Sequence, residues 1–152
     1  MNYQQTLHQG SKVLKLNNIR CFNLDSEILL SSSLNLKRAD LLLNLDKKIN
    51  NKEKFIFFNY IERRKNKEPI AYIIGYKEFW KNKFKVDKNV LIPRPDTETI
   101  VEQVLNDLNI NSAKKILDIG TGSGCIILSI LCERNKCYGV ALDISKKALN
   151  VA

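Results

Sequence analysis

The stretch KILDIGTGSG, residues 115–124, decides the fold of this chain. Its first half is typical of a short apolar strand and its second half of a glycine-rich turn. Residues 125–134 follow as a helix that is apolar nearly all round, and residues 137–142 predict a second strand that ends directly before Asp143. This order predicts one β-α-β unit, in which a helix joins two parallel strands.

The glycine turn at residues 120–124 is a candidate binding site. Glycines allow a sharp turn and let a ligand lie against bare backbone amides at the N-terminus of a helix. Asp143, at the end of the next strand, is placed to accept hydrogen bonds from ribose hydroxyls. Together these features predict a nucleoside-bearing cofactor, and the structural alternative is a tight strand-to-helix turn without a ligand.

The spacing of the glycines helps to choose between two cofactor classes. The dinucleotide fingerprint is G-x-G-x-x-G, and the position five after Gly120 is Cys125, so the third glycine comes one residue early. An anionic pyrophosphate against this turn would also meet the negative charge of Asp118. S-adenosylmethionine carries an ammonium and a sulfonium but no phosphate, and the residues therefore favour it.

Upstream, residues 1–68 predict short helices. We expect Asp25 to cap one helix, and Asn50 or Asn51 to cap a longer one. Three apolar residues of the longer helix repeat at helical spacing and are expected in its core: Phe55, Phe58 and Ile61. Pro69 is expected to close this helical part.

From Ile70 to Arg94 the sequence changes to a strand-like pattern. Residues 71–74, 78–80 and 84–86 predict short strands, with a polar turn at Lys81-Asn82. We expect this segment to form a hairpin between two units.

The two prolines of Pro93-Arg94-Pro95 predict an extended backbone. Asp96 or Thr97 is then expected to cap a helix. The apolar face of that helix is expected to carry Ile100, Val101, Val104, Leu105 and Leu108.

Length and composition exclude several classes of protein. The chain has 152 residues, about the length of one domain, and 44% apolar and 27% charged residues, which excludes a fibrous or wholly disordered chain. No run approaches the roughly 18 apolar residues of a membrane span, and the N-terminus has no apolar signal segment. We therefore expect a cytoplasmic protein.

The net charge of +9 is concentrated in the middle of the chain. Between Lys47 and Lys88 there are 13 basic and 5 acidic residues. Such an excess suits a nucleic-acid partner, but lysine-rich composition also produces a solvated basic surface. We interpret it as the latter and expect no dedicated nucleic-acid site.

The sequence lacks the residues that a zinc site or a catalytic nucleophile with a histidine base requires. The four cysteines form no C-x-x-C pair, and His8 is the only histidine. A zinc site therefore lacks its ligand spacing, and a Ser-His-Asp or Cys-His mechanism lacks a suitable base.

Four stretches, taken in order, resemble the HemK/PrmC family, the protein N(5)-glutamine methyltransferases that modify peptide chain release factors. They are PIAYIIG at residues 69–75, EFW at residues 78–80, LIPRPDTE at residues 91–98 and ILDIGTGSG at residues 116–124. The third stretch is the specific one, since the glycine turn is shared with most S-adenosylmethionine enzymes.

The resemblance implies a mixed α/β architecture. Residues 1–68 would form a helical substrate-recognition domain, residues 69–95 a hairpin linker, and residues 96–152 the N-terminal part of a Rossmann-like methyltransferase domain. S-adenosylmethionine would be held by Gly120, Thr121, Gly122, Ser123 and Gly124 at its methionine end and by Asp143 at its ribose.

The methyl acceptor that the resemblance implies is the glutamine amide in the Gly-Gly-Gln loop of class 1 release factors. Amide nitrogen is a poor nucleophile, so we expect catalysis by in-line positioning and assign no catalytic residue. Arg94 is open between a role in the site and a surface ion pair with an acid such as Glu98.

The family's Asn-Pro-Pro-Tyr motif, which orients the target amide, does not occur in these 152 residues. Only 38 residues follow the start of the first strand of the β-α-β unit, so we expect uncovered apolar faces and no methylation by these residues alone. Three alternatives stay open: a methyltransferase acting on an RNA or DNA base, a nicotinamide-dependent oxidoreductase, and a non-catalytic helical module that binds a release factor.

Overall fold

A computed structural model describes all residues, 1–152, and divides them into two compact units, Met1–Ile74 and Gly75–Ala152. The architecture is mixed α/β. The first unit contains α1 Tyr3–Leu16, α2 Phe22–Ser33, α3 Arg38–Leu42, α4 Asn51–Lys65 and α5 Ile70–Ile74. The second contains β1 Tyr76–Phe79, β2 Asn82–Lys85, α6 Glu98–Asp107, β3 Lys115–Ile119, α7 Cys125–Glu133, β4 Tyr138–Leu142 and α8 Lys146–Leu149. None of the helices combines the length and apolarity that crossing a bilayer requires.

Two helices of the first unit begin at reciprocal capping boxes. Asn50 Oδ1 accepts from the backbone amide of Glu53 at 2.8 Å, and Glu53 Oε2 accepts from the amide of Asn50 at 3.1 Å. The prediction that Asn50 caps α4 is therefore confirmed. Asn2 and Gln5 form the same arrangement at α1. The Asn-x-x-Gln spacing is a recognised start signal, but sequence reasoning did not use it there.

Asp25 does not cap a helix, contrary to expectation. Helix α2 begins three residues earlier, at Phe22, and the Asp25 side chain is buried inside its first turns. Its Oδ2 atom lies 2.7 Å from Nε of Arg64, on α4. The partner that explains Asp25 is thus 39 residues away in the sequence, beyond the reach of a local capping pattern.

The core of the first unit is formed by α1, α2 and α4 around fully buried leucines and Phe57. The expectation that Phe55 belongs to this core is wrong, since its side chain is 74% exposed. Phe57 and Ile61 are one helical turn apart and define the buried face of α4. Phe55 is two residues from Phe57, about 200° around the helix, and points away from that face.

The segment at residues 70–74 is a helix, α5, and not the strand that its isoleucines suggested. Its first turn is closed by the amides of Tyr72 and Ile73, which donate to the carbonyl of Pro69 at 3.0 and 3.2 Å. Nη1 and Nη2 of Arg63 donate to the carbonyls of Ile73 and Tyr72, each at 3.2 Å. Because Ile73 is buried against the helical core, packing decides the conformation of these five residues over β-propensity.

Gly10 lies where α1 packs tightly against α2 and α4. A Cβ atom at this position would contact the ring of Phe57 and would lie 2.7 Å from Oγ of Ser26.

We expect Gly10→Ala to destabilise the chain by about 2 kcal/mol, because overpacking outweighs the gain in helix propensity. Chemical denaturation followed by circular dichroism measures this. The exposed Gln9→Ala variant is the control and should change the stability by less than about 0.5 kcal/mol; a stabilised Gly10→Ala variant would contradict the packing.

The second unit contains the predicted hairpin and the predicted β-α-β unit. Strands β1 and β2 pair in antiparallel orientation, with the turn at Trp80-Lys81, one residue earlier than expected. Strands β3 and β4 pair in parallel, with Lys115 opposite Tyr138 and Ile119 opposite Leu142, and α7 joins them. Phe79 and Phe84 of the hairpin pack into one core with Val101 of α6 and Ile130 of α7.

Helix α6 begins without the predicted side-chain cap. A short 3-10 turn at Pro95–Thr97 precedes it, and neither Asp96 nor Thr97 makes a capping bond. Oγ1 of Thr99 instead donates to the carbonyl of Asp96 at 2.7 Å. The proline at the start of the turn fixes φ for helical entry, which makes a side-chain cap dispensable.

One face of the parallel strand pair is covered and the other is exposed. Gly139 faces α7, since a Cβ atom there would lie 2.8 Å from side-chain atoms of Ile127 and Leu131. On the opposite face, Leu117 of β3 is 56% exposed and Leu142 of β4 is 49% exposed. The expectation of uncovered apolar faces is therefore confirmed for this face, and it is wrong for the face that α7 covers.

Candidate functional site

The glycine turn lies where β3 passes into α7. Gly120 and Gly122 have φ angles of +81° and +58°, in the left-handed region that favours glycine. A Cβ atom built on either residue would meet nothing within 4 Å. The space in front of both glycines is therefore open to a ligand, and only backbone geometry requires glycine there.

The amides of the turn are not bare, which corrects the sequence-based expectation. The amides of Gly120 and Thr121 both donate to the carbonyl of Leu142, at 2.8 and 2.9 Å. The amide of Gly124 donates to the carbonyl of Thr121, and that of Gly122 donates to Oδ2 of Asp143, both at 2.9 Å. Four of the five amides thus have acceptors within the chain. Sequence reasoning missed three of these bonds because their acceptors, Leu142 and Asp143, belong to the end of the next strand.

Two carboxylates flank the turn. Oδ2 of Asp118 accepts from Oγ1 of Thr121 at 2.8 Å. Oδ2 of Asp143 accepts from Gly122, and its Oδ1 accepts from the amide of Ser145 at 2.8 Å. These bonds from Ser145 and Gly122 lower the pKa of the Asp143 carboxyl, because they stabilise its charged form. The turn is therefore an electronegative environment.

The structure brings Asp143 into contact with the glycine turn. Asp143 is 21 residues from Gly122 in the sequence and in direct contact with it. Thr121 and Ser123 are buried, and their side chains face the interior of the unit. Ser145 was not predicted as a site residue. It caps α8 by accepting from the amide of Ala148 at 3.2 Å, and its own amide binds Asp143.

Cys125 is the first residue of α7 and lies beside the turn. Burial raises the pKa of its thiol, and this outweighs the opposing effect of the hydrogen bond with Ser123. A neutral buried thiol is a poor nucleophile. We therefore assign no covalent chemistry to Cys125.

The EFW and LIPRPDTE stretches meet at the hairpin turn. Oε1 of Glu98 accepts from the backbone amide of Trp80 at 2.7 Å, and Oε1 of Glu133 accepts from its indole Nε1 at 3.0 Å. Trp80 has a φ of +54°, an unfavourable conformation for a side chain of this size, so these two acids hold a strained turn. The ion pair between Arg94 and Glu98 that the sequence suggested is not formed, and Glu98 accepts from the backbone amide of Trp80.

Residues 5–75 match the family described as the PrmC N-terminal domain. The chain is 42% identical over 147 residues to the release factor glutamine methyltransferase of Leptospira interrogans, covering 96% of the chain and 51% of that relative. It is 41% identical over 152 residues to the protein of the same name from Clostridium acetobutylicum, covering all of the chain and 53% of the relative. A bifunctional methyltransferase of Rickettsia felis is 38% identical over 176 aligned residues, covering 98% of the chain and 33% of the relative. The chain spans about half the length of the release factor glutamine methyltransferases that it matches.

Proposed function

The chain belongs to the HemK/PrmC family of release factor glutamine methyltransferases, and from that premise we propose that it serves the methylation of a release factor glutamine. In this proposal the turn at residues 120–124 binds the methionine end of S-adenosylmethionine, and Asp143 binds its ribose. The acceptor is the glutamine amide in the Gly-Gly-Gln loop of a class 1 release factor. The names of the relatives support the reaction, and the geometry of the turn supports the cofactor class.

The observation that carries the cofactor assignment is that most amides of the glycine turn already donate hydrogen bonds within the chain. A pyrophosphate needs free N–H donors, and four of the five amides here already donate within the chain. The carboxylates of Asp118 and Asp143 add negative charge beside the turn, which repels an anion and attracts an ammonium or sulfonium group. These two observations support S-adenosylmethionine over a dinucleotide.

The chemistry that these residues supply is binding and orientation. S-adenosylmethionine brings an activated methyl group on its sulfonium. The turn and Asp143 would fix the two ends of the cofactor, so that the methyl group has one defined direction. Because an amide nitrogen is a poor nucleophile, holding it in line with that methyl group would supply most of the acceleration.

The names of the relatives favour a protein substrate over a nucleic acid. Five of the 13 basic residues of the segment at residues 47–88 form ion pairs within the chain: Arg63 with Glu68, Arg64 with Asp25, Lys65 with Glu62, Lys81 with Glu133 and Lys83 with Glu78. The remaining basic residues keep this segment positively charged, which suits a nucleic-acid partner. Methylation of an RNA or DNA base is therefore the second candidate.

Binding of a class 1 release factor tests the substrate assignment. We expect the 152-residue chain to bind an immobilised release factor with micromolar affinity in biolayer interferometry, in the presence of S-adenosylhomocysteine. A hairpin RNA immobilised in the same way should bind weakly and lose its signal when salt is raised. Tight RNA binding with no response from the release factor would contradict the proposal and favour the second candidate.

A further inference from the structure

Asp143 connects two turns that follow neighbouring strands. Through Oδ2 it accepts from Gly122, in the turn after β3, at 2.9 Å. Through Oδ1 it accepts from Ser145, in the turn after β4, at 2.8 Å. The amides of Gly120 and Thr121 add a second link, to the carbonyl of Leu142. The shape of the glycine turn therefore depends on groups at the end of β4.

The carboxylate keeps acceptor capacity after making these two bonds. An ionised carboxylate has two oxygens and about four lone-pair sites, so two backbone amides occupy about half of them. A neutral asparagine at this position would have one acceptor oxygen and an NH2 group. That NH2 group would face an N–H group of the turn, and at least one of the two backbone bonds would be lost.

We propose that Asp143 is a positioning residue, which holds the glycine turn in its binding shape by joining it to the turn after β4. This inference deepens the proposed function and rests on it for the ligand, since the proposed function already assigns the ribose of S-adenosylmethionine to the remaining lone pairs of Asp143. The proposal explains why a carboxylate is used there: two backbone amides and two hydroxyls are four donors, which a single carboxylate can accept together.

The bond to Ser145 does not by itself explain Asp143 as a local cap. The N-terminus of α8 is capped by Oγ of Ser145, which accepts from the amide of Ala148. Asp143 is outside that capping interaction, and its second oxygen is directed to Gly122 in the other turn. Its role therefore concerns the connection between the two turns.

Amide hydrogen exchange and NMR titration of the chain test the positioning role without any cofactor. In Asp143→Asn we expect the Gly122 amide to exchange at least about tenfold faster at pH 7, because its acceptor is removed or displaced. In the unmodified chain the amide signals of Gly122 and Ser145 should shift together as pH falls through the lowered pKa of Asp143. This second measurement needs no variant and does not depend on the folding of Asp143→Asn.

Ser145→Ala is the matched control, since it removes the cap of α8 and leaves the Asp143 carboxylate in place. Its Gly122 amide should exchange within about twofold of the unmodified rate. Unchanged Gly122 exchange in Asp143→Asn, or separate titration of the two amides, would overturn the positioning role. If the exchange result is as expected but S-adenosylmethionine shifts no amide of the turn, the proposed function fails and the positioning role stands.

Discussion

Arg64→Ala is expected to destabilise the helical unit by about 3 kcal/mol, the largest stability effect that we predict for a single replacement. Arg64 Nε lies 2.7 Å from Oδ2 of Asp25, and its Nη1 donates to the carbonyl of Glu68 at 3.0 Å. The Asp25 side chain is only 7% exposed, so removal of Arg64 leaves a buried carboxylate without its cation. Urea denaturation followed by circular dichroism at 222 nm provides the measurement.

Arg38→Ala is the control for this prediction. Arg38 pairs with Glu27 at 2.6 Å, but its side chain is 50% exposed, so we expect a loss below about 1 kcal/mol. The double variant Asp25→Leu with Arg64→Met should recover most of the stability, because it leaves no unpaired charge. Equal losses in Arg64→Ala and Arg38→Ala would show that the Asp25 pair is not the buried connection that we describe.

Gly122→Val is expected to weaken binding of S-adenosylmethionine by at least about tenfold, the largest effect that we predict on a ligand. A β-branched residue is strongly disfavoured at the φ of +58° that Gly122 adopts. Its side chain would also enter the open space in front of the turn, where the ligand is proposed to lie. Isothermal titration of each variant with S-adenosylmethionine measures the change in affinity.

Gly75→Val provides a matched control for backbone strain. Gly75 has a φ of +83°, and a Cβ atom there also meets nothing within 4 Å, but it precedes β1 and is outside the turn. We expect both variants to lose stability and only Gly122→Val to lose affinity. A similar loss of affinity in both would mean that the effect is a general consequence of destabilisation.

The β-α-β unit could be predicted from the sequence because its signals are local and agree with one another. An apolar run, a glycine turn, a long apolar helix and a second apolar run leave few alternative arrangements. The cap at Asn50 was predictable for the same reason, since the capping box is complete within four residues. The hairpin was predictable in outline, and only the position of its turn differs by one residue.

The errors arise where a distant partner decides the local structure. Asp25 has the residue type of a helix cap, but Arg64, far along the chain, makes it a buried ion pair. Residues 70–74 have high β-propensity, but they are helical because Ile73 packs into the core and its carbonyl accepts a hydrogen bond from Arg63. The same reason applies to the site. Leu142 and Asp143 accept hydrogen bonds from turn amides that the local sequence suggested would be free for a ligand.

A two-dimensional NMR titration of the isotopically labelled chain tests the central claim most directly, since it reports on each amide of residues 120–124. S-adenosylmethionine is expected to shift these amides and those of Asp143 and Ser145, and NADH at the same concentration is expected to leave them unchanged. Shifts of the turn with NADH or inorganic pyrophosphate, and none with S-adenosylmethionine, would contradict the account.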